Sequence, residues 1–283
     1  MIFYTGNGQM ISFGSSVATG QKTAAPWDTV IHRGWIAGAK ENTLPAMFLT
    51  KENGYDWAEC DIRLSQDNVP VLAHDNTVKS EDGSITLTVP ACTAEQLQSI
   101  TLQTHSRFGE IKVATLKEVL DLARLIGLNL LLDIKNSTGT WDAPGNRIIA
   151  QTVLESGWAD HVVYMPLSVE TAAAILEVDH NASFDFVKSF ETVASLPDLA
   201  PYQALLTGGN TVGFDMSAAT LSAEEFPQVA QAIRAAGLNL SFWNISAATA
   251  TAAMDAGPLR ITKHNGSDKT DLDAPYLASK IIW

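Results

Sequence analysis

Residues 30–75 read VIHRGWIAGAKENTLPAMFLTKENGYDWAECDIRLSQDNVPVLAHD, and the fold is decided there. Thr29-Val30-Ile31 is a short apolar strand that ends in His32-Arg33-Gly34, where Gly34 permits a tight turn or close backbone approach. Leu44, Met47, Phe48 and Leu49 then recur on one helical face behind Glu41-Asn42-Thr43, with Asn or Thr as N-cap, and Asn53-Gly54 ends the helix. A second strand runs from Trp57 to Leu64. In an extended chain alternate side chains share a face, so Glu59 and Asp61 aim together and Cys60 turns away. Gln66-Asp67-Asn68 turns the chain, and Pro70 to Ala73 runs extended into His74-Asp75.

Working outward, the strand–helix alternation continues. Residues 76–112 read as an excursion. Thr115-Leu116-Lys117-Glu118 opens an amphipathic helix that Gly127 stops. Leu128 to Lys135 is almost wholly apolar until it ends in charge, as expected of a strand covered on both faces of a parallel sheet. Further helices are expected over 147–156, 169–178, 190–196, 223–236 and 247–256. Strands are expected over 161–166, 183–187, 211–215, 238–244 and 259–263. With 70–74 taken as a hairpin return, the parallel strands number eight, which predicts an α/β TIM barrel with a small insertion after its second strand region. The barrel is expected over 29–283, with the insertion at about 76–112 and a Gly/Ser/Thr-rich lead-in over 1–28 that either caps the barrel bottom or tethers the domain.

Of 283 residues, 46% are apolar and 17% charged, an ordinary globular composition. Thirty-one acidic residues against 18 basic give a formal net charge of −13, which opposes binding to nucleic acid or anionic membranes. There is no signal-peptide pattern and no stretch of the roughly 20 apolar residues a transmembrane helix needs. The cytoplasm is therefore the default compartment, with export by another route or incorporation in a virion as alternatives. Of the two cysteines, Cys60 reads as a small buried hydrophobe, and no disulfide framework is indicated.

Charged and polar residues gather where the strands end: His32-Arg33, Glu59 and Asp61, His74, Asp133 and Lys135, Asp215, and Trp243-Asn244. In a barrel that end carries the active site. Three carboxylates there suit one divalent cation that prefers oxygen ligands, Mg²⁺ or Ca²⁺. His32 and His74 suit a general acid/base pair, and Arg33 and Lys135 suit the non-bridging oxygens of a phosphate. Trp243 either lines the substrate pocket or fills the barrel mouth. Arg63 reads as a supporting residue, and Glu41 and Asn42 as helix-start and loop-anchoring residues. His105, His161 and His180 read as ordinary surface or loop positions. No nucleophile elbow, Walker loop or dinucleotide fingerprint is present.

His32-Arg33-Gly34, Glu41-Asn42-Thr43, Glu59-x-Asp61 and Pro70-Val71-x-x-His74-Asp75 together resemble the glycerophosphodiester phosphodiesterase family. Ala114 to Leu120, Asp133-Ile134-Lys135, Phe242-Trp243-Asn244 and Ile261-Thr262 extend the resemblance over roughly 29–265. It implies a phosphatidylinositol-phospholipase-C-like TIM barrel. Glu59, Asp61 and Asp133 would hold one cation, His32 and His74 would be the catalytic pair, and Arg33 and Lys135 would contact phosphate. The reaction implied converts a glycerophosphodiester to glycerol phosphate and an alcohol, with the neighbouring glycerol hydroxyl as first nucleophile. The chain departs from the family pattern at Asp133 (usually Glu), Lys40 (often Pro) and Lys263-His264 (usually acidic). Asp133 is shared with sphingomyelinase D-like lipases, so a lyase that leaves a cyclic phosphate is the second expectation. A third is a non-catalytic barrel, self-associating or displayed on a larger assembly through residues 1–28.

Overall fold

Thr43 accepts a hydrogen bond from the Ala46 N–H and so starts helix α1 (Leu44–Glu52). Thr115 and Glu118 exchange hydrogen bonds as a capping box at the head of α2 (Leu116–Ile126), which Gly127 closes at φ 67°. The structure is a computed structural model that describes residues 2–4, 10–12, 27–135, 143–245 and 249–263. Eight parallel strands lie among these residues: β1 (Asp28–Ile31), β2 (Trp57–Leu64), β3 (Asn129–Ile134), β4 (Val162–Met165), β5 (Ser183–Lys188), β6 (Val212–Ser217), β7 (Asn239–Trp243) and β8 (Arg260–Lys263). Each is hydrogen-bonded to the next, and β8 pairs with β1, which closes the barrel. Pro70–Leu72 returns antiparallel along β2, as the hairpin reading requires.

The α1 and α2 apolar faces cover the outer surface of the barrel. Cys60, Ile62, Leu130, Leu132 and Ile134 are fully buried in that layer, and their alternation with inward residues follows from the strand period of two. Inside the barrel the two halves differ. Val30, Leu131, Val163 and Met165 form an apolar cluster. Across from them, Asp185, Asp215, Ser241, Arg260 and Thr262 are buried and polar. Arg260 Nη1 donates to Asp185 Oδ2 at 2.7 Å, and its guanidinium lies 4.7 Å from the centre of the Trp57 ring. Gly213 lets β6 approach β7, because a Cβ there would stand 2.5 Å from the Asn239 carbonyl oxygen.

The excursion after β2 has its own architecture. Two hairpins (Thr77–Lys79 with Thr86–Thr88, Gln103–His105 with Gly109–Ile111) flank a one-turn helix, Ala94–Gln98. A separate small core of Val71, Val78, Val89, Leu97, Ile100 and Val113 holds them together. At the N-terminus Met10–Ser12 pairs with Ile2–Tyr4. Most of the lead-in, and His264, lie outside the described residues.

One expected helix is absent. Residues 190–196 form only a 3₁₀ turn at Val193–Ser195, and a short helix follows at Ala200–Gln203. Leu196 precedes Pro197 and is extended (ψ 139°), as a residue before proline tends to be. Another helix starts earlier than its apolar period, at Ala143, because Pro144 fits a first helical turn. No helix among the described residues is long and apolar enough to cross a membrane.

Candidate active site

The residues after β1 set the geometry. His32 N–H donates to the Lys263 carbonyl, which fixes the strand end. Arg33 and Gly34 then both take positive φ, 56° and 77°. Gly34 is needed on two counts: its conformation, and a Cβ there would stand 2.8 Å from the Ala46 carbonyl carbon. The reversal aims the Arg33 N–H at Glu59 Oε2, 2.9 Å away. It also brings back Asn42, itself at φ 55°. Asn42 Nδ2 donates to Asp61 Oδ2 at 2.7 Å, and Asn42 Oδ1 accepts from the Asp61 N–H at 3.0 Å.

Parallel pairing of β2 and β3 sets Asp133 beside Asp61 and Leu131 beside Glu59. Glu59, Asp61 and Asp133 are all buried, and one oxygen from each lies within 4.8 Å of the others. Burial pushes the Glu59 carboxyl well above its ordinary range, and the charges of Asp61 and Asp133 push it further. Burial likewise raises Asp133, against the pull of Lys135. Lys135 Nζ bridges Asp133 Oδ2 at 2.5 Å and Asp61 Oδ1 at 3.2 Å. Burial disfavours the Lys135 charge, but these two carboxylates outweigh it and raise its pKa.

The donor set fits a hard divalent cation. Glu59 Oε1 and Asp133 Oδ1 are buried with no hydrogen-bond partner among the described residues. Such orphaned oxygens are costly unless a cation or water meets them.

His74 sits just past the returning Pro70–Leu72 strand. Arg63 donates from Nε and Nη2 to the His74 carbonyl (3.0 and 2.5 Å) and from Nη1 to Asn76 Oδ1 (2.6 Å), so it fixes the backbone under the imidazole. His74 Nδ1 is 2.9 Å from Asp75 Oδ1, which leaves Nε2 facing away from the carboxylate. His32 Nε2 stands 3.7 Å from Glu59 Oε2. Arg33 is more engaged than its sequence suggests: Nη1 donates to both Glu41 oxygens, and Nε lies 3.2 Å from Asp61 Oδ2.

One cavity of about 250 Å³ gathers His32, Arg33, Glu59, His74, Asp133, Lys135 and Trp243, and Asp61 lies buried beside it. Met165, Val187, Asp215, Asn244 and Thr262 complete its wall. Trp243 therefore lines the pocket, whereas His105, His161 and His180 do not. Two contributions were not legible from the sequence: the paired bonds of Asn42 to Asp61, and the Asp75 bond to His74. For Asn42 a signal existed, since asparagine is one of the few residues that tolerate positive φ.

Asn42→Ala is expected to weaken divalent-cation binding by roughly 10- to 100-fold, the usual effect of losing a partner that orients a metal ligand. Calorimetric titration with Ca²⁺ checks this, with Thr43→Ala as a control that loses a helix cap but no bond to Asp61.

The fold and the site define a TIM barrel with a buried three-carboxylate cluster at its C-terminal mouth. Residues 32–257 match the Glycerophosphoryl diester phosphodiesterase family, and the chain belongs to it. It is 36% identical to Glycerophosphodiester phosphodiesterase 1 of Mus musculus over 111 residues, which cover 38% of this chain and 33% of the mouse protein. The corresponding human protein is 34% identical over the same length. The matched region thus spans about a third of these relatives. Among solved structures, a glycerophosphodiester phosphodiesterase from Parabacteroides distasonis superposes with a TM-score of 0.69 at 18% identity, over 90% of this chain and 98% of the other. A phosphodiesterase from Oleispira antarctica, solved with the product sn-glycerol-3-phosphate, gives 0.65 at 17% identity, over 84% and 93%. At these identities the likeness establishes the fold.

Proposed function

We propose that the chain is a metal-dependent phosphodiesterase that cleaves glycerophosphodiesters to glycerol phosphate and an alcohol. The observation that carries this reading is a cluster of three buried carboxylates, of which Glu59 and Asp133, each with an orphaned oxygen, line one cavity with His32 and His74 while Asp61 lies beside it. Glu59, Asp61 and Asp133 would hold one Mg²⁺ or Ca²⁺, which would supply a positive charge against that of the phosphodiester. Arg33 and Lys135 line the same cavity and would bind the phosphate oxygens, exchanging part of their present carboxylate contacts for phosphate. His32 and His74 would act as the general acid/base pair, one taking the proton of the attacking oxygen and the other giving a proton to the leaving alcohol. Asp75 fits the task of fixing the His74 tautomer, with Nε2 presented for proton transfer.

The direct test is hydrolysis of glycerophosphocholine and glycerophosphoethanolamine, with EDTA and then with Mg²⁺ or Ca²⁺ restored. Metal-dependent release of glycerol phosphate, lost in Glu59→Ala, is the expected result. Phosphorus NMR of the product separates linear glycerol phosphate from the cyclic phosphate of a lyase. No turnover by the folded protein with either cation would overturn the reading.

The raised carboxyl groups also give the cation effect a pH dependence. Glu59 and Asp133 hold protons above the ordinary carboxylate range, so the metal-free fold is favoured at low pH and loses that contribution as pH rises through their raised pKa values. Cation binding needs both groups ionised. The rise in Tm on adding Ca²⁺ is therefore expected to grow as pH rises from about 5 upward, above the range in which ordinary carboxylates titrate. Differential scanning fluorimetry across that range checks it. An increment constant with pH would contradict the assignment.

A further inference from the structure

Asp215 is 1% exposed, yet it forms part of the cavity wall. It lies on β6, across the barrel from the carboxylates of β2 and β3. Its polar surroundings are sparse. Oδ2 meets only the Thr262 hydroxyl, at 3.4 Å, and Oδ1 has no partner among the described residues. The nearby cation is already committed, because Arg260 donates to Asp185 rather than to Asp215. Trp243, on the neighbouring strand β7, lines the same cavity, and its indole Nε1 is buried with no hydrogen-bond partner among the described residues. A pocket that holds an unmatched acid and an unmatched N–H donor is built for a ligand with polar atoms there.

We infer that Asp215, with Trp243, reads a hydroxyl group of the glycerol moiety, which makes Asp215 a specificity-determining residue for the glycerol end of the substrate. The inference rests on the phosphodiesterase reading above. Hydroxyl recognition, rather than recognition of a cationic head group, follows from the electrostatics. Burial above all, and then the charge of Asp185 on the adjoining strand, push the Asp215 carboxyl well above the usual carboxylate range, so its surroundings favour the uncharged form. An uncharged carboxyl can donate one hydrogen bond and accept another, which matches an alcohol. Size assigns the hydroxyl to glycerol. A cavity of about 250 Å³ is at the small end of ligand sites, so it encloses the phosphate and glycerol, and the second alcohol extends through the open mouth.

The test is a ligand–residue cycle by calorimetry on the Ca²⁺-loaded protein, with sn-glycerol 3-phosphate and n-propyl phosphate as probes. The wild type is expected to bind glycerol phosphate at least about tenfold more tightly, since removing the hydroxyls leaves a buried acid and N–H unmatched. Asp215→Val should abolish that preference and leave propyl phosphate affinity unchanged, whereas Asp215→Asn, also neutral, should keep most of it. Should Asp215→Val fail to fold, Trp243→Phe removes the N–H together with part of the ring and should reduce the preference for glycerol phosphate over propyl phosphate. Equal binding of the two probes by the wild type would overturn the inference. So would loss of the preference in Asp215→Asn, which would mean that a negative charge is being read. Hydrolysis of a glycerophosphodiester by the same preparation reports separately on the phosphodiesterase reading. Turnover without the preference defeats only the Asp215 assignment, and the preference without turnover defeats only the hydrolytic one.

Discussion

His32→Ala and His74→Ala are each expected to lower kcat for a glycerophosphodiester by roughly 100- to 10,000-fold, the range of a positioned general acid or base. The two imidazoles reach the cavity from different supports, the end of β1 and the segment beyond the Pro70–Leu72 return. Neither belongs to the three-carboxylate cluster. Both alanine variants should therefore keep affinity for the cation and lose turnover, whereas Glu59→Ala should lose both. Asp75→Asn should fall between, because the imidazole stays in place without the carboxylate that sets its tautomer. Steady-state kinetics beside calorimetric cation titration separates these outcomes. A loss below tenfold in either histidine variant would remove that residue from proton transfer.

Arg260→Met is expected to cost about 3–5 kcal/mol of stability, read as a fall in the urea midpoint. Arg260 and Asp185 are both buried inside the barrel, and Arg260 supplies the charge that balances Asp185. Methionine leaves that carboxylate without its cation beside Asp215, which lies on the adjoining strand. The double variant Asp185→Leu/Arg260→Met should recover most of the loss, because a buried pair replaced by apolar residues of similar size is often neutral. If the single and double variants are equally unstable, packing against Trp57 rather than charge balance is what Arg260 provides.

The barrel was legible because its signals are local and repeated. Apolar runs such as Leu128–Ile134, ended by charge, mark strands, and Thr115-x-x-Glu118 announces its helix through hydrogen bonds three residues apart. The carboxylate cluster was legible for a related reason: Glu59 and Asp61 share a face by strand period, and Asp133 falls level with Asp61 once β2 and β3 pair in parallel. Residues 190–196 misled because their apolar spacing serves a loop. Phe190 packs edge-on against Phe214 of β6, and Pro197 forbids continuation of a helix. The particular partners of Asn42 and Arg33 were not legible, since they are fixed by two successive left-handed residues that bend the chain back over β2. The Asp185–Arg260 pair spans 75 residues and depends on barrel closure, for which no short-range pattern exists.

The small core beneath the hairpins after β2 separates two duties in the molecule. The three-carboxylate cluster belongs to the barrel wall, but His74 stands where the chain leaves that wall for an appendage with its own packing. Local opening of this appendage would withdraw the His74 imidazole while the carboxylate cluster stays intact. Substitutions at Val89 or Leu97, remote in sequence from every charged group of the site, would then tune turnover independently of metal occupancy. On the proposed chemistry, rate would then be adjustable at the appendage without rebuilding the barrel.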